Sequence, residues 1–173
     1  MASALLDNPH KLLLLTPLVA STSTVTYAVC EALFYSPFTH APFRRESRAL
    51  LPKWFKRVFD TNIYLLVGLN MVTISSATAL LTLPGVKDIL TARGSRNFFA
   101  AGLVGTCAHF VFASTMLGII DKMTSDEGVS EEKDGDCTEV MRGWLAVHYV
   151  RLVVADVPAW GAYLAGVLAT LSL

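Results

Sequence analysis

The chain has 173 residues, of which 53% are hydrophobic and 16% charged, and its 14 basic and 14 acidic residues cancel. With a mean hydropathy of +0.50, the composition excludes an ordinary soluble globular domain and a basic nucleic-acid-binding face. The length leaves room for a single integral membrane domain over residues 1–173, and the expected fold class is all-α, a four-transmembrane-helix bundle.

In chain order, four apolar segments approach the roughly 20 residues needed to cross the hydrocarbon core. They are Leu12–Phe34, Ile63–Leu83, Phe98–Ile120 and Leu145–Leu171. Ala20-Ser21 in the first could sit near a signal-peptide cleavage site, but apolar character continues through Val25, Tyr27, Ala28, Val29 and Leu33, which favours a retained helix. Between the second and third, Pro84-Gly85, Lys87, Asp88, Arg93 and Arg96 form a short polar connection. The stretch 121–143, with Asp121, Asp126, Glu127, Glu131, Glu132, Asp134, Asp136 and Glu139, is expected to be a solvated acidic loop. Cys30, Cys107 and Cys137 show neither C-x-x-C nor Cys/His ligand spacing, so no disulfide framework or metal site is expected.

Orientation follows from the cations. Arg44, Arg45, Arg48, Lys53, Lys56 and Arg57 in the first connection, with Lys122, Lys133 and Arg142 in the third, stand against Lys11, Lys87, Arg93 and Arg96 on the other side. This bias puts the first and third connections in the cytoplasm and both termini in the lumen.

Glu31, Arg151 and Asp156 lie inside apolar segments, where a charge costs at least about 2.5–3.5 kcal/mol. Such residues pair, face a wet cavity or do chemistry. At about 1.5 Å per residue, Glu31 and Arg151 fall at similar depth, which predicts an ion pair that either fastens helix to helix or serves a reaction. Trp144, His148 and Arg151 recur at i, i+4 and i+7 and share a helical face. Trp144 alone reads as an interfacial anchor, and His148 as either an interhelical hydrogen bond or a proton acceptor. A deeper layer joins His109, Asn70 and Asp156, an Asp–His pair with an Asn donor. In a regular helix Asp156 would stand about 140° around from Arg151, with no need for a shared partner. Pro158 would free the carbonyl of Val154 and bend the helix.

The run Arg142-Gly-Trp144-Leu-Ala-Val-His148-Tyr-Val-Arg151 resembles the W-x-x-x-(N/H)-x-x-R signature of the anthrone oxygenase-like (noranthrone monooxygenase) family of fungal four-helix membrane proteins. The aromatic and basic run Trp54-Phe55-Lys56-Arg57-Val58-Phe59 is a second point of similarity. The chain departs from the family after Met116, where Leu117-Gly118-Ile119-Ile120-Asp121 replaces a Pro-Thr-Asn-like stretch. The resemblance implies a monooxygenase of aromatic polyketide secondary metabolism in the endoplasmic reticulum or another endomembrane. It implies a hydrophobic aromatic substrate, molecular oxygen as co-substrate, and neither metal nor flavin. His148 would be the base and Arg151 the oxyanion stabiliser, with Glu31 orienting them; His109 and Asp156 complete the catalytic candidates. Trp144, Asn70 and Tyr27 are the substrate-binding candidates, with Tyr35 a further aromatic flank. Membrane lipid is the expected surrounding partner, nucleic acid is not expected, and self-association is left open. Two alternatives use the same residues differently: an isomerase or cyclase working without oxygen, and a non-catalytic tetraspan adaptor or transporter.

Overall fold

The computed structural model describes residues 9–40, 42, 44–124 and 137–171, and among them every regular element is helical. Helix α1 runs Pro9–Tyr35 and ends in a 3-10 turn, Ser36–Thr39. Helix α2, Arg44–Thr82, is followed by the short α3, Pro84–Ala92. The third crossing is α4, Arg96–His109, a 3-10 turn at Phe110–Phe112, and α5, Ala113–Thr124. The fourth is α6, Cys137–Arg151, a π-helical turn at Leu152–Asp156, and α7, Val157–Leu171. Four helical stretches, His10–Thr39, Arg45–Thr82, Arg96–Thr124 and Cys137–Leu171, are long and apolar enough to cross a membrane.

The helices extend well beyond the apolar segments. What the sequence presents as a polar first connection is mostly the opening half of α2, whose 39 residues span about 58 Å. Apart from Pro52 this half is rich in Arg, Lys, Leu and Ala, which favour helix, and Leu51 and Phe55, one turn apart, are buried. A hydropathy window registers only the part at lipid depth. The expected polar link before α4 likewise contains α3, which buries Val86 and Leu90 and is closed by Gly94 at φ +66°. Helices α5 and α6 reach into the expected 121–143 loop from both ends, because Ile120 and Met123 on one side and Cys137 and Met141 on the other pack in one core. The remaining acidic residues of that loop, 125–136, lie outside the described residues.

Two apolar cores stack along the bundle. One gathers Tyr35, Leu51, Phe55, Met116, Met123, Met141 and Trp144. The other gathers Leu14, Leu80, Leu90, Phe99, Tyr163 and Val167. In the second core α4 and α7 approach closely, since a Cβ on Gly102 would lie 2.5 Å from the Tyr163 ring and one on Gly166 would lie 2.9 Å from Phe99. Outward-facing Val104, Val111, Leu117, Val153, Val154 and Leu168 are exposed, as suits a lipid solvent. Between the cores lies a buried polar layer holding Asn70, Thr73, Thr106, His109, His148, Arg151 and Asp156.

Candidate active site

Helix α6 delivers Trp144, His148 and Arg151 on one buried face. Trp144 is only 4% exposed, so it is a core residue rather than an interfacial anchor. Its ring stacks on His148 at 4.7 Å and meets Tyr35 and Phe55 edge-on at 5.3 and 5.7 Å. The imidazole of His148 is engaged at both nitrogens. Arg151 Nη2 donates to Nδ1 at 3.2 Å, so Nε2 carries the hydrogen and donates to the Ala28 carbonyl at 2.9 Å. His148 thereby ties α6 to α1 and steadies the guanidinium.

Immediately after Arg151 the π-helical turn alters the register of the helix. Val157 N–H reaches back to the Leu152 carbonyl, five residues away, in place of the usual four. A turn of this pitch brings residues five apart onto nearly one face, so Asp156 returns beneath Arg151 with Nε to Oδ2 at 3.4 Å. The regular-helix expectation of about 140° between them does not hold, for this reason. Pro158, two residues on, lacks the N–H that a regular ladder would need at that place, which favours the wider turn. Asp156 Oδ1 accepts from His109 Nδ1 at 2.7 Å, with both side chains under 10% exposed. His109 is the last residue of α4 before the 3-10 turn, so irregular helix flanks this bond on both sides.

The expected Glu31–Arg151 ion pair does not form: the carboxylate paired with Arg151 is Asp156. Glu31 instead lines a cavity of about 50 Å³ that Arg151 also lines, together with Trp144, Phe59, Asn62, Leu66 and Met116. One wall is therefore a guanidinium held from behind by His148 and Asp156. Another carries a carboxylate left for whatever enters, and the remaining walls are largely apolar.

The other expected residues fall around this centre. Tyr27 places its hydroxyl, buried and without a hydrogen-bond partner among the described residues, beside Glu31 and Asn62. Asn70 donates to the Leu66 carbonyl at 2.9 Å, one turn back on its own helix, and among the described residues no hydrogen bond joins it to the His109–Asp156 pair. It does border, with Asp156, a second and smaller cavity. Sequence reasoning missed Asn62, Phe59 and Met116. Asn62 sits one residue before the apolar segment assigned from hydropathy, and the helical register from Phe59 to Asn62 to Leu66 was the signal that could have found it.

No family model matches the chain, and no solved structure matches it. It is similar along nearly its whole length to curated fungal proteins. Epoxidase pydX of Acremonium sp is 27% identical over 97% of this chain and 99% of its own. Epoxidase gkaX of Penicillium citrinum is 28% identical over 90% of this chain and 92% of its own. Oxaleimides biosynthesis cluster protein N of Penicillium oxalicum is 27% identical over 93% and 89%. These names speak of oxygenation and of fungal biosynthesis, and none is that of an anthrone oxygenase.

Proposed function

We propose that the chain is a membrane-embedded oxygenase of fungal secondary metabolism, situated in an endomembrane and acting on a hydrophobic polyketide-derived molecule. The observation that carries the reading is the division of labour in the larger cavity. Arg151 is already neutralised and held by Asp156 and His148, while Glu31 faces the same space without a cationic partner among the described residues. A free carboxylate opposite a fixed guanidinium can take a proton from an activated carbon and stabilise the resulting enolate oxygen.

The base is thus Glu31, and His148, whose nitrogens are both engaged, is a positioning residue for Arg151. The carbanion transfers electrons to molecular oxygen, forms a C–O bond and gives a hydroperoxide with the proton returned from Glu31. An anthrone-type methylene would then lose water to leave a carbonyl. A substrate with a neighbouring conjugated alkene would pass the distal peroxide oxygen to the C=C bond, leaving an epoxide and an alcohol. Both sequences balance with dioxygen as sole oxidant and with no outside reductant. The epoxidase names of the relatives support the second.

Microsomes containing the chain, supplied with candidate polyketides under ¹⁸O₂, test this directly. Label in an epoxide or carbonyl product is the expected result. Turnover that persists without oxygen would make the protein an isomerase or cyclase instead.

A further inference from the structure

The second cavity lies on the other side of Asp156, deep in the polar layer, and measures about 10 Å³, the size of one water position. Its polar walls are Ser21, Thr24, Asn70, Thr73, Thr106 and Asp156. The hydroxyl hydrogens are already committed within their own helices. Ser21 donates to Leu18, Thr24 to Ala20, Thr73 to Leu69 and Thr106 to Gly102. Asn70 spends one amide hydrogen on Leu66. What these groups can still offer is therefore mainly oxygen lone pairs, with one remaining N–H from Asn70. Asp156 Oδ2 is buried and accepts no hydrogen bond among the described residues, although its partner Oδ1 is bonded to His109.

We infer that this cavity is a binding site for one ordered water molecule, which donates to Asp156 Oδ2 and to a wall hydroxyl and accepts from Asn70. The guest must bring donors to a wall of acceptors, and it must fit a single water position. A metal cation meets the size but not the charge: Arg151 already balances Asp156, and no second carboxylate among the described residues lines this cavity. The water supplies the hydrogen bond that Asp156 lacks. It thereby fixes the carboxylate that holds Arg151, and it belongs to the site whatever the substrate is.

Infrared difference spectra of the purified full chain in H₂¹⁶O and H₂¹⁸O should show an O–H stretching band of a buried water that shifts with the isotope. Thr73→Val, nearly the same in shape but without the lone pairs, should abolish that band and lower Tm by on the order of 2–4 °C. Thr24→Val, which leaves the Thr73 acceptor in place, should keep the band. Absence of the band in the wild-type chain overturns the proposal, and this reading stands even if a variant fails to fold. A rise in Tm in both valine variants would show a dry cavity. A Tm higher in sodium chloride than in choline chloride at equal ionic strength, with no water band, would show a cation in its place.

Discussion

Asp156 stands five residues beyond Arg151, yet its Oδ2 lies 3.4 Å from the Arg151 Nε. The π-helical turn between them produces this contact, and Glu31, without a cationic partner among the described residues, is left lining the larger cavity. A double-mutant cycle should find the coupling where the geometry puts it. Arg151→Met and Asp156→Leu should each cost about 3–5 kcal/mol by leaving a buried charge alone, and the double variant should cost far less than their sum. Arg151→Met combined with Glu31→Gln, two residues that share a cavity without an ion pair, should show a coupling well below that of Arg151 with Asp156. Thermal unfolding in detergent provides the measurement, and strong coupling to Glu31 would contradict the assignment.

Glu31→Gln separates chemistry from folding. It removes the proposed base while keeping the shape, so turnover should fall roughly 10²–10⁴-fold with Tm unchanged or raised. Product formation under ¹⁸O₂, read beside Tm, checks this. Undiminished turnover in Glu31→Gln would return the base role to another group.

His148→Ala should behave differently. It removes the acceptor for Arg151 and the donor to Ala28, so stability should drop by about 1–3 kcal/mol along with turnover. Arg151→Lys should fold but turn over poorly, because a point charge cannot reach His148, Asp156 and a substrate oxygen together. A His148→Ala chain of native stability and no activity would restore His148 as the base.

Gly102→Ala tests the close approach of α4 and α7. The new methyl would press on the Tyr163 ring, at an expected cost of about 1–3 kcal/mol. Tyr163→Leu added to Gly102→Ala should recover part of the loss by vacating that space. Urea or thermal unfolding of the two variants gives the comparison.

Orientation is testable by glycosylation mapping. Acceptor sites placed beside Arg45 or within 125–136 should stay unmodified, and one added after Leu173 should be modified. Modification within 125–136 would invert the bundle.

Much was legible in the residues themselves. The four apolar stretches had to become helices because lipid offers the backbone no hydrogen-bond partners. The placing of Glu31, His109, His148, Arg151 and Asp156 inside apolar segments had to matter because ionisable groups at that depth are costly. Even the meeting of His109 and Asp156 followed from matching depths on neighbouring helices. Depth, however, is a one-dimensional property, and pairing also depends on the angle around each helix. Counting residues around a regular helix separated Arg151 from Asp156, and depth alone matched Arg151 with Glu31 instead. Only the tertiary structure, by widening one turn before Pro158 and packing α1 against α6 through His148 and Ala28, decided which carboxylate Arg151 holds and which is left facing the cavity.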